Sequence, residues 1–152
     1  MSNFEEVEQD VEELLRKIIR EDFPNVADAK IKPLYYMKKK MSKGVATLSY
    51  IAKTTPILNY LTGSSNGEGE GYNYILFMDG NVFPVLEYSD KVRVIRHELC
   101  HIFIDLESET NPFKMIDHEI QDFYSEIEHS KDDPKWRERI FVVAEAVYAK
   151  DE

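Results

Sequence analysis

The sequence predicts an α+β domain, in which a small antiparallel or mixed sheet packs on one central helix and further helices flank it. Three observations carry this expectation. Apolar residues recur at helical spacing towards both ends of the chain, and short runs of strand composition lie between them. The run His97-Glu98-Leu99-Cys100-His101 falls inside a stretch that is apolar along one helical side. The 152 residues suit one domain, residues 1–152, with a sizeable core.

The elements follow in order. Phe4 to Glu21 reads as an amphipathic helix with Phe4, Val7, Val11, Leu14, Leu15, Ile18 and Ile19 as its stripe, ended by Pro24. Lys30 to Thr54 reads as two strands, Leu34–Met37 and Val45–Ile51, joined near Ser42-Lys43-Gly44. Gly63 to Gly71 holds four of the six glycines and reads as a flexible loop. Tyr72 to Asp79 reads as a buried strand, turned by Asp79-Gly80, with a connector from Val82 to Tyr88. The central helix is expected from about Asp90 to Leu106, with Ser89 as N-cap and Val92, Ile95, Leu99, Ile102, Phe103 and Leu106 buried. A polar loop, a short strand Phe113–Ile116 and a helix from Asp117 to about His129 come next. A last helix begins with Asp133 as N-cap and Pro134 at its first position, and Ile140, Phe141, Val143, Ala144 and Val147 form its apolar face.

Charge and composition narrow the function. The formal net charge of -10 argues against non-specific association with nucleic acid. Lys30, Lys32, Lys38, Lys39, Lys40 and Lys43 nevertheless form a basic segment with no acidic residue among them. The plainer reading is a solvated hairpin protected by lysines; the other is a contact for an acidic partner or a nucleic-acid backbone. Met1 to Asp10 is acidic and lacks the apolar core of a signal peptide, and no apolar run is long enough to span a membrane. Cys100 is the single cysteine, so no intrachain disulfide is expected, and these features together favour a reducing cytoplasm.

The His97–His101 run is an HExxH motif. Residues four apart lie on one helix face, so both imidazoles can address one metal ion. Glu98 sits about 100° around the helix from His97, beside the same site, where its carboxylate can act as general base towards an activated water. Cys100 points to the other side of His97, and a small buried residue is the preferred reading over a ligand. Catalytic zinc takes three protein ligands. His118, 17 residues beyond His101, is the leading candidate for the third, with Glu119 and Asp122 as competitors. His129 reads as a solvent-exposed residue at a helix end. Asp105 is either an acceptor that orients a ligating histidine or a solvated residue. Tyr124 is a weak candidate for an oxyanion stabiliser among nine tyrosines.

His97-Glu98-Leu99-Cys100-His101, Asp105 and His118-Glu119-Ile120-Gln121-Asp122-Phe123 resemble a family of phage metallopeptidases. The likeness covers roughly residues 30 to 130, and Glu119 stands where the family more often has Asp. The resemblance implies a zincin-like fold, a relation to SprT-like proteins and a zinc-dependent peptidase of phage origin. It further implies His97, His101 and His118 as ligands and Glu98 as catalytic base. Two rival readings stand beside it. One is a non-catalytic protein whose zinc joins two helices and whose surface binds a partner. The other is an SprT-like protease acting on proteins associated with DNA, motivated by Lys30 to Lys43.

Overall fold

The computed structural model describes residues 3–42, 45–66, 71–108, 112–116 and 136–149. Along the chain run β1 (Phe4–Glu6), α1 (Gln9–Asp22), β2 (Ile31–Tyr36), β3 (Met41–Ser42), β4 (Val45–Ala46), β5 (Ser49–Lys53) and α2 (Pro56–Asn66). Then follow β6 (Tyr74–Asp79), α3 (Tyr88–Leu99), β7 (Ile102–Ile104), β8 (Phe113–Met115) and α4 (Trp136–Ala149). The architecture is α+β, with a mixed four-stranded sheet in the order β1-β2-β6-β5 and two small two-stranded ladders, β3-β4 and β7-β8.

The strand at residues 74–79 organises the sheet. Tyr74, Leu76 and Met78 have no exposed surface and share one face, as a period of two requires. They join the core that α1 supplies through Val11, Leu14, Leu15 and Ile18 and α3 through Val94, Ile95 and Leu99. β2 pairs with β6 in parallel and β5 pairs with it antiparallel. The two strands expected within residues 30–54 therefore do not pair with each other, because β6 enters between them. The expected strand Val45–Ile51 splits: Val45–Ala46 pairs back on Met41–Ser42 as the β3-β4 ladder, and the strand that joins the sheet begins at Ser49.

Two local readings are corrected. Phe4 to Glu6 is strand rather than helix: it pairs with β2 through Phe4↔Tyr36 and Glu6↔Leu34, and Phe4 is 47% exposed. The ladder hydrogen bonds offered by β2 outweigh a helical stripe that Phe4 only extends, and α1 begins at Gln9 behind an extended Glu8. The glycine-containing run is helical as far as Asn66, in α2. Ile57, Tyr60 and Leu61 face solvent there, so no apolar stripe marks the helix. The legible signal was Thr55-Pro56: the Thr55 hydroxyl accepts the Leu58 amide at 3.2 Å, a cap followed by proline. Gly71 packs against α2 so closely that a Cβ would lie 2.1 Å from the Asn59 carbonyl oxygen.

Buried phenols tie the layers together. Tyr35 donates to the Glu8 carboxylate at 2.6 Å, Tyr36 to the Thr47 carbonyl, and Tyr74 to the Lys114 carbonyl at 2.9 Å. Burial pushes all three hydroxyls above the usual tyrosine range, Tyr74 up to about 12. Folding thus favours their neutral form. The stability they contribute is complete below the ordinary phenol pKa of 10.0 and is lost as pH rises through the folded values. In an alkaline titration followed by phenolate absorbance, Tyr35, Tyr36 and Tyr74 should ionise only above the ordinary phenol range, together with unfolding. Nine phenols titrating together with the fold intact would contradict their placement.

Candidate metal centre

The helix α3 is anchored on two sides before it reaches the site. Arg96 donates to Asp22 of α1 through Nε at 3.0 Å and Nη2 at 2.7 Å. Asp90, 1% exposed, receives Arg93 at 3.3 Å and, from α4, Arg139 Nε at 2.8 Å. The N-cap is Glu87 rather than Ser89. The chain arrives extended at Glu87, whose carbonyl accepts the amides of Asp90 and Lys91, so Ser89 is already inside the first turn.

The helix ends at Leu99, not Leu106. Cys100 N still donates to Arg96 O, but His101 N donates to Glu98 O at 3.1 Å, a tightening that closes the last turn. The chain then enters β7, where Ile102 pairs with Met115 and Ile104 with Phe113. β-branched Ile102 and Ile104 favour that ladder. Phe103 and Leu106, expected to be buried, are 49% and 82% exposed.

Despite this early end, the motif residues converge. Ligand atoms of His97, Glu98 and His101 all lie within 4.8 Å of one another. Glu98 and His101 are buried and His97 is half-buried. The two imidazoles stand nearly perpendicular, with centroids 5.6 Å apart, and Trp136 at the start of α4 meets the His97 ring edge-on at 6.5 Å. His101 Nδ1 lies 2.6 Å from the Ile116 carbonyl oxygen. A carbonyl only accepts, so Nδ1 carries a proton, which in the tautomer that leaves Nε2 unprotonated puts the lone pair there. That is the tautomer a metal ligand needs. The same pair is tied again by Ile116 N donating to His101 O at 2.7 Å. Ser49, the first residue of edge strand β5, donates its hydroxyl to Glu98 Oε1 at 2.9 Å. Two imidazoles and a carboxylate are a donor set that suits a borderline divalent ion.

The remaining candidates separate. His118, Glu119, Asp122, Tyr124, His129 and the Asp133-Pro134 cap lie outside the described residues. Asp105 does not continue the helix; it opens the β7-β8 connection. Its carboxylate accepts Lys114 Nζ at 3.0 Å and the Glu107 amide at 3.1 Å, and the Lys114 hydrogen bond holds its carboxyl below the usual range. Cys100 is buried at 7% exposure, as a small core residue would be. In the basic segment, Lys32 pairs with Glu6, while Lys39 and Lys40 lie over the Tyr148 and Tyr50 rings at 4.9 and 3.8 Å. Ser49, Ile116 and Trp136 escaped sequence reasoning, because each reaches the site only through tertiary contact. Among the described residues no helix is long and apolar enough to cross a membrane.

Comparison with curated proteins and with solved structures gave no match. The family described as "Putative phage metallopeptidase" matches residues 2–147, a span that holds the HExxH motif and every described strand. The chain therefore belongs to this phage metallopeptidase family.

Proposed function

We propose that residues 1–152 form one zincin-like domain that hydrolyses peptide bonds, with zinc held by His97, His101 and His118 and with Glu98 as general base. The convergence of the His97, Glu98 and His101 donor atoms within 4.8 Å carries this reading. The metallopeptidase family supports the same class of chemistry. Zinc supplies Lewis acidity that polarises the scissile carbonyl and makes water a competent nucleophile near neutral pH.

The chain's own residues do the rest. Glu98 takes the proton of the attacking water and returns it to the leaving amine. Ser49 orients the Glu98 carboxylate, and Ile116 orients the His101 ring. His118 stands two positions after Ile116 in the sequence, and Ile116 is bonded to His101. Among the described strands β5 lies at the edge of the sheet, and its first residue touches the proposed base. A peptide substrate added along that edge would run beside Glu98. The setting we propose is the host cytoplasm.

Elemental analysis of the purified protein tests the centre. About one zinc per chain is expected, lost in His97→Ala and weakened in His118→Ala. Stripping the metal with a chelator should abolish cleavage of an unstructured protein, and adding zinc back should restore it. No metal uptake even with zinc supplied would overturn the reading. A centre coordinated by four protein side chains would point instead to a structural metal.

A further inference from the structure

A cavity of about 500 Å³ opens beside α1, and it shares no lining residue with the metal centre. Its volume falls within the roughly 300–1,000 Å³ of small-molecule sites. Leu15 and Ile19 of α1 and Ile31 and Pro33 of β2 make the apolar floor. Arg16, Arg20 and Lys30 also line it, against Glu12 as the one acidic lining residue. In a chain with 29 acidic and 19 basic residues, this is a local inversion of charge. Arg16 and Arg20 are exposed and four residues apart, hence side by side on one helix face, where their like charges repel modestly and an anion lying between them would be favoured. Neither is joined by an ion pair to an acid among the described residues.

The walls are pre-formed. The Tyr72 carbonyl accepts Thr54 Oγ1 at 2.7 Å and Asn59 Nδ2 at 3.0 Å, and its amide donates to Thr62 Oγ1 at 3.1 Å. The Lys30 backbone is held by Asn73 from both sides, with its amide donating to Asn73 Oδ1 at 2.8 Å and its carbonyl accepting Asn73 N at 2.7 Å. Tyr72 and Lys30 therefore line the cavity from backbone held in place by these hydrogen bonds, with Lys32 Nζ over the Tyr72 ring at 5.9 Å. Rigid walls of this kind lower the ordering cost of binding.

From this we infer that the cavity binds a small organic anion, its apolar body on Leu15, Ile19, Ile31 and Pro33 beside Tyr72 and its carboxylate or phosphate held by Arg16, Arg20 and Lys30. Guanidinium pairs suit the planar fork of either headgroup. The assignment does not depend on the peptidase reading.

Fluorescence titration of the full chain with anilinonaphthalene sulfonate, an aromatic anion, tests it. Saturable binding of one probe per chain is expected, weakening as salt is added. Arg16→Gln with Arg20→Gln should lower that affinity about tenfold, with circular dichroism and zinc content unchanged. The neutral analogue phenylnaphthylamine should bind weakly and respond less than about twofold to the same change. Displacement of the probe by naphthoate alone assigns a carboxylate ligand, and displacement by adenosine monophosphate alone assigns a phosphate. Equal binding of the charged and neutral probes, indifference to the double substitution, or no displacement by either anion would overturn the proposal.

Discussion

Glu98→Gln should keep its metal and lose about 10²–10⁴-fold in peptidase turnover. The amide is nearly the same size and still accepts the Ser49 hydroxyl through its oxygen, so the buried site keeps its packing. What disappears is the capacity to take a proton. Metal content, thermal stability and turnover measured on one preparation separate these effects. Full turnover with zinc retained would remove Glu98 from the mechanism; lost zinc would make it a ligand. Ser49→Ala provides the graded comparison. It removes one hydrogen bond to the carboxylate and leaves the base in place, so a loss of about tenfold is expected, carried by kcat rather than KM.

Asp90→Ala should destabilise the fold by about 3 kcal/mol, read from urea unfolding. Asp90 is almost fully buried and receives guanidinium groups from Arg93 and Arg139. Deleting the carboxylate leaves a buried Arg93 without that partner and cuts the tie between α3 and α4. Arg139 has a side chain 37% exposed and recovers some hydration, which keeps the cost towards the lower end for a broken buried pair. Because α4 also brings Trp136 against His97, zinc affinity should fall with stability. A loss below about 1 kcal/mol would show the network to be no stronger than a surface ion pair.

Particular residues show which parts were legible from sequence. The continuous apolar run at residues 74–78 predicts a buried strand and the stripe of Val11, Leu14, Leu15 and Ile18 a buried helix face; the structure buries that face and Tyr74, Leu76 and Met78, with Ile75 and Phe77 half-buried. The motif spacing likewise brings His97, Glu98 and His101 together, because the chain is still turning helically through Cys100. The errors share a cause. The local pattern extends a helical stripe to Phe4 and carries the motif helix through Ile102 to Leu106, because each of these segments borders a helix. β1 and β7 exist because a distant strand, β2 or β8, offers ladder hydrogen bonds. α2 went unseen for the opposite reason: with Ile57, Tyr60 and Leu61 in solvent, it has no apolar face directed inward.

The sequence alone therefore carried the α+β class and an HExxH run whose His97, Glu98 and His101 ligand atoms the structure brings within 4.8 Å of one another. Those follow from side-chain chemistry and from the 3.6-residue period, which operate over a few neighbouring residues. The tertiary structure alone decided that β6 separates β2 from β5, that β5 becomes the edge beside the site, and that Ser49, Ile116 and Trp136 surround the motif. These contacts join residues 15 to 49 positions apart, held by long-range pairing and core packing that no local pattern encodes.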